Sequence, residues 1–215
     1  MTLSTVRLTL IKRAVFVSAL SPLIIYLWRA VGDVLGANPI EALIRGSGDW
    51  TLYFLTLTLS ITPLRRFTGQ NWLQALRRML GLFTFLYACL HLTTFVWFDH
   101  FFDLDEILRD VWKRPFIAIG FTAFLLLIPL AITSTHAMQR RLGRYWSQLH
   151  RVVYAVALLA MTHFWWMRAG KQNFAEPIVI GVIITILLAA RLIGPIQRWI
   201  QARKDLVLAR DVESR

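Results

Sequence analysis

The sequence predicts an all-α, polytopic membrane protein: a bundle of six transmembrane helices with both chain ends on the cytoplasmic side. Three observations carry that expectation. The 215 residues are 57% hydrophobic, with mean hydropathy +0.55, more apolar than a soluble domain of this size. Six apolar stretches follow one another, each near the length that crosses about 30 Å of hydrocarbon. The basic residues fall on alternate sides of those stretches, the pattern by which a chain orients in a bilayer.

The six stretches are 13–29, 50–64, 79–98, 115–134, 151–167 and 177–196. A basic start (Arg7, Lys12, Arg13) precedes the first, as in a secretory leader. The apolar run continues through Tyr26, Leu27 and Trp28 without a small-residue cleavage site, so it is expected to stay as a helix. The second is short at its apolar core. The third contains Cys89 and His91, and the fifth contains His163 with His150 at its start. Pro115 and Pro177 open the fourth and sixth, where a missing N–H costs little. Pro22 and Pro129 lie inside spans and are expected to kink them. Residues 1–200 form one transmembrane domain, and 201–215 a short basic cytoplasmic tail.

Charge sorts by side. Residues 1–13, 64–78, 134–151 and the tail from Arg191 hold 17 Lys/Arg against 3 acids, and the intervening segments hold 7 against 9. The sequence therefore places the first set in the cytoplasm. The same asymmetry accounts for the net charge of +12 without a nucleic-acid partner. A single cysteine excludes an intramolecular disulfide and a thiolate zinc or iron–sulfur cluster. Trp28, Trp50, Trp97, Trp112, Trp146, Trp165, Trp166 and Trp199 stand near segment ends, as interfacial belts do.

Ligating groups within hydrocarbon are costly and point to function. His91 and His163 each lie eleven residues into a span entered from the cytoplasmic face, roughly 16–17 Å deep at about 1.5 Å per residue. Two imidazoles at one depth on two helices can hold a haem iron from both sides. Thr94 and Thr84, on the His91 side of the third span, are candidates to orient its ring. His150 precedes His163 by thirteen residues, which is not a whole number of turns. It is a candidate ligand for a second, inner haem or a contact to a quinone or flavin. The position that would supply that second haem's other ligand is Arg77, which stays protonated and cannot ligate iron. One haem is expected, with two possible, and Arg77, Arg78 and His150 are read as the surround of an anionic or quinonoid group. His136, in an inner loop, and His100, in the acidic outer loop, are expected to be solvated. The outer loop 99–114 is the candidate docking segment for an external partner.

The blocks LTLSITPLRR, LRRMLGLFTFLYACLHLTT, AITSTHAMQRRLGRYWSQLHRVVY and MTHFWW resemble the MsrQ (YedZ) family of haem-binding membrane subunits. That family is similar to the transmembrane domain of ferric reductases, including the thirteen-residue histidine spacing. The resemblance implies a bacterial inner-membrane subunit carrying haem b. It would take electrons from the quinone pool or a cytoplasmic flavin reductase and deliver them to a periplasmic molybdopterin-containing methionine sulfoxide reductase. It also implies FMN, for which no flavin motif is visible here; arginines of the inner loops would suit its phosphate. Two rivals stand beside this expectation. A self-contained ferric reductase-like cytochrome b would need a soluble flavin and nicotinamide domain, for which the fifteen residues after Ile200 leave no room. A proton-relaying transporter would need polar residues along several spans, and the first, fourth and sixth have few.

Overall fold

A computed structural model describes residues 4–170 and 172–191. All regular structure in those residues is helical. The long helices are α1 (Thr5–Val31), α2 (Pro39–Thr68), α3 (Gln74–Thr94) and α5 (Pro115–Ile132), with α8 (Val153–Ala169) and α9 (175–191) closing the bundle. Three short helices join them: α4 (Leu104–Lys113), α6 (His136–Leu142) and α7 (Arg144–Leu149). A π-helical turn, Phe95–Asp99, ends α3, and a 3₁₀ turn, His150–Val152, joins α7 to α8.

Capping residues set several helix ends. Ser4 accepts the Arg7 N–H at the start of α1, and Asn38 accepts the Glu41 N–H ahead of Pro39 in α2. Gly69, at φ 69°, ends α2 in the left-handed conformation that a side chain resists.

Four helical stretches are long and apolar enough to cross a membrane: Thr5–Val31, Asn71–Asp99, Pro115–Ile132 and Arg144–Ala169. They contain the first, third and fifth predicted spans and the fourth up to Ile132, two residues short of its predicted end. The second predicted span lies within α2, whose apolar run is diluted by hydroxyls. Thr51, Thr56 and Thr58 return theirs to the carbonyls four residues back at 2.7–2.8 Å, so the polar atoms are satisfied inside the helix. The sixth predicted span starts within α9; its residues 192–196 and the tail 201–215 lie outside the described residues.

α2 packs along α3, and α5 along α8, more extensively than any other pairs. Two buried clusters result. Leu76, Leu80, Phe83 and Tyr87 of α3 join Ala19 of α1 and Phe54 of α2. Leu52, Leu55 and Leu59 of α2 meet Leu127, Val156, Ala157 and Ile184 of α5, α8 and α9. α2 contributes to both clusters and is the central element.

Two side chains serve the α1 backbone beside Pro22: the Ser21 hydroxyl donates (2.8 Å) to the Ser18 carbonyl that the proline leaves without its usual N–H, and Tyr87 of α3 bonds the neighbouring pair. The Tyr87 hydroxyl donates to the Ala19 carbonyl (2.8 Å) and accepts from the Leu23 N–H (3.2 Å). Those two groups are an i, i+4 pair of α1, so a side chain of α3 stands within the α1 ladder beside the proline.

Candidate functional site

The bundle brings His91 of α3 and His163 of α8 face to face. Their ring centroids are 6.2 Å apart, with the rings inclined at 71°. An imidazole nitrogen lies about 1.1 Å from its ring centroid and a metal–imidazole bond is about 2 Å, so rings on opposite sides of one metal have centroids roughly 6 Å apart.

Each ring is held in the same way. His91 Nδ1 is 2.8 Å from the Ile44 carbonyl, and His163 Nδ1 is 2.7 Å from the Phe116 carbonyl. A carbonyl only accepts, so each Nδ1 carries the proton and a neutral ring keeps its lone pair on Nε2. Neither Nε2 makes a hydrogen bond among the described residues. This is the tautomer-fixing contact that metal-bound histidines make through their second nitrogen. Each ring also rests against a glycine. A Cβ added to Gly48 would stand 3.0 Å from His91 Cε1, and one added to Gly120 would stand 2.7 Å from His163 Nδ1. In both halves the carbonyl lies 47 residues before its histidine and the glycine 43 before. α2–α3 and α5–α8 thus present two copies of one device.

Thr94 and Thr84 do not orient His91. Their hydroxyls bond back to the His91 and Leu80 carbonyls of their own helix; the ring is oriented across the bundle by Ile44, with the Ser47 hydroxyl 3.5 Å from Nδ1.

Toward the predicted inner end, His150 stacks on Trp146, centroids 4.0 Å apart, with Nδ1 3.2 Å from the Trp146 carbonyl. Its Nε2 is buried without a hydrogen-bond partner. The 3₁₀ turn at His150–Val152 overwinds the chain by about 20° per residue relative to an α-helix, which turns His150 part of the way toward the His163 face. Arg77 is half-buried and lies within electrostatic reach of His150, Tyr154, Arg65 and Arg191. Arg78, about 100° further round the helix, is exposed. Arg191 donates to the Tyr154 hydroxyl (2.9 Å) and the Leu59 carbonyl (2.6 Å), and its Nε is buried without a partner. Neither Arg77 nor Arg191 forms an ion pair among the described residues. This cluster is cationic, partly desolvated and suited to an anion.

At the opposite end, Arg168 of α8 pairs with Asp49 of α2 (3.1 Å) and Glu176 of α9 (2.8 Å), tying three helices together. His136 is exposed, as expected. His100 is not: it is 5% exposed, enclosed by Phe95 and by Asp99, Glu106 and Asp110 at 3.5–3.9 Å. The segment 99–114 folds back as α4, and that folding removes His100 from solvent.

Sequence reasoning missed Gly48, Gly120, the two carbonyls, Arg168 and Arg191. The glycines carried a readable signal in their equal offset from the two histidines. The carbonyls carried none, because backbone acceptors leave no mark on residue type.

A family model described as the ferric reductase-like transmembrane component matches residues 47–161, a segment that holds His91 and both glycines and ends two residues before His163. A protein of Herminiimonas arsenicoxydans named as the methionine sulfoxide reductase haem-binding subunit MsrQ is 56% identical over 204 residues, 94% of this chain and 92% of the relative. The chain belongs to the MsrQ family. MsrQ proteins of Azospira oryzae (51% over 192 residues, 89% of this chain and 82% of the relative) and Rhodospirillum rubrum (47% over 186 residues, 86% and 88%) agree. No solved structure is matched. As an MsrQ-family chain with four apolar helices of spanning length, it is a multi-pass membrane protein.

Proposed function

We propose that this protein is the haem-b electron-transfer subunit of a methionine sulfoxide reductase system in the bacterial inner membrane, with six spans and cytoplasmic termini. The observation that carries the reading is the 6.2 Å separation of His91 and His163, matched to two imidazoles on one iron and supported by mirrored carbonyl contacts. Its relatives are named as haem-binding subunits of that system. A haem held there supplies one-electron transfer through iron. His91 Nε2 and His163 Nε2 would hold that iron, and a haem held by two imidazoles would serve electron transfer rather than oxygen binding.

The rest of the chain supplies placement. Ile44 and Phe116 fix the tautomers, Gly48 and Gly120 give the rings room, and the apolar helices keep water from the pair. His150, Arg77 and Arg191, with Arg78 at the surface beside them, would receive the donor's anionic or quinonoid end. That end belongs to a quinol of the membrane pool, the flavin of a cytoplasmic reductase, or the FMN expected for this family. A second haem on His150 has no facing imidazole among the described residues. The electron acceptor is the partner catalytic subunit, a periplasmic molybdopterin protein with which this chain pairs as a heterodimer.

His91→Ala and His163→Ala, purified in detergent, are each expected to lose most of the haem absorbance per protein, and His136→Ala to keep it. An unaltered bis-imidazole spectrum in either of the first two variants would refute the ligand assignment.

A further inference from the structure

The segment between the third span and α5 folds as α4, and its residues sort by direction. At about 100° per residue, Leu104, Leu108 and Trp112 form one stripe, exposed at 71%, 66% and 90%. Asp105, Arg109 and Lys113 form the next stripe round and are also exposed. Ile107, Asp110 and Val111 lie on the remaining side and are partly buried, with Asp110 beside the enclosed His100. The helix thus has three faces in order: protein, apolar and charged.

We propose that α4 lies flat in the membrane–water interface, with the Leu104–Leu108–Trp112 stripe sunk in lipid and the Asp105–Arg109–Lys113 stripe in water. Charge orientation assigns this to the outer leaflet; only the choice of leaflet rests on the topology proposed above. Lipid is favoured over a protein partner by three observations. Arg114 alone separates α4 from Pro115, the first residue of a span, and only 100–103 separate it from the π turn that ends another. The helix therefore cannot leave the interface. Phe101 and Phe102, in that short connector, add two further apolar rings that are 77% and 60% exposed, Phe102 lying 6.0 Å from the Trp97 ring. Both hold positive φ (45° and 63°), a conformation that bulky residues resist and that burial of two rings in the acyl boundary would compensate. Finally, apolar and charged stripes adjoin on the side away from the protein, the arrangement of helices that ride an interface. It follows that an external partner meets the charged stripe and not the apolar one.

Nitroxide labels placed singly at 104, 108 and 112, and at 105, 109 and 113, in a Cys89→Ala chain test this. The whole protein is reconstituted in nanodiscs of phosphatidylethanolamine and phosphatidylglycerol without its partner. Collision with dissolved oxygen, which concentrates in lipid, is compared with collision with a water-soluble nickel chelate. The expected oxygen-to-nickel ratio is several-fold higher at the first three sites than at the second three. Equal ratios, or protection of the apolar stripe only after the partner subunit is added, would overturn the proposal, the latter in favour of protein docking. Three positions per face are read so that a label that disturbs folding at one leaves the others to decide.

Discussion

At the scale of single residues, the histidine pair depends on atoms that are absent. A Cβ on Gly120 would overlap His163 Nδ1 at 2.7 Å and Cε1 at 2.8 Å, closer than such contacts tolerate, and would push the ring off the Phe116 carbonyl. Gly48 is tight but less so, at 3.0 Å from the His91 ring, and Gly81 meets only Thr58 at 3.7 Å. Haem content per protein, from the Soret absorbance, is therefore expected to fall most in Gly120→Ala, less in Gly48→Ala and not in Gly81→Ala. Wild-type haem in Gly120→Ala would mean that this ring position is not the ligating one. Tyr87 makes a second prediction. Tyr87→Phe removes both hydroxyl bonds to the Ala19 carbonyl and the Leu23 N–H beside Pro22, and an intramolecular hydrogen bond contributes about 0.5–1.5 kcal/mol net. A clear drop in the unfolding temperature in detergent is expected. Tyr53→Phe, whose hydroxyl makes no hydrogen bond among the described residues, should change it little.

At the scale of elements, the helices inside the long apolar runs were legible and the ones outside them were not. The first eleven residues of α2, 39–49, carry Glu41, Arg45 and Asp49 and read as loop. They are helical because Asn38 and Pro39 start the helix and Glu41 pairs with Arg45 at 2.7 Å. α4 shows a 3.6-residue pattern, but its charges fitted an outer loop equally well, and the burial of His100 behind it depends on a turn that residue types do not announce. The facing of His91 and His163 was foreseeable from depth, whereas their ring orientation rests on Ile44 and Phe116 carbonyls. The Arg168 strap between α2, α8 and α9 was also invisible, because its partners are 119 and 8 residues away. Its side chain is 12% exposed and that of Asp49 19%. Breaking a buried pair by removing one partner costs about 3–5 kcal/mol, and the partial access of solvent here places Arg168→Met near the lower end. Thermal unfolding should show that loss, with Asp49→Asn milder because it leaves no unpaired carboxylate. Equal stability of Arg168→Met and wild type would show that the strap carries no load.

At the scale of the whole molecule, the five histidines constrain how many haems the bundle can hold. A second bis-imidazole site would need a ring roughly 6 Å from that of His150, by the same metal–nitrogen lengths that fit the first pair. His91 and His163 are committed to each other and to their carbonyls. His100 is enclosed beside α4 at the other end of the third span, and His136 is exposed on α6. Beside the Trp146 ring stacked on it, His150 feels the charge of Arg77, a cation that repels a metal and cannot ligate it. On the proposed reading, the end of the bundle around His150 and Arg77 serves an anion and the level of His91 and His163 serves iron. A pyridine haemochrome assay on the purified protein should therefore give about one haem per chain, and His150→Ala should keep both that ratio and the bis-imidazole spectrum. What His150→Ala should lose is speed: reduction by a quinol or reduced flavin should slow while the haem remains. A ratio near two, or loss of one spectral component in His150→Ala, would require an inner iron held by a non-histidine ligand and would reverse the division of labour drawn here.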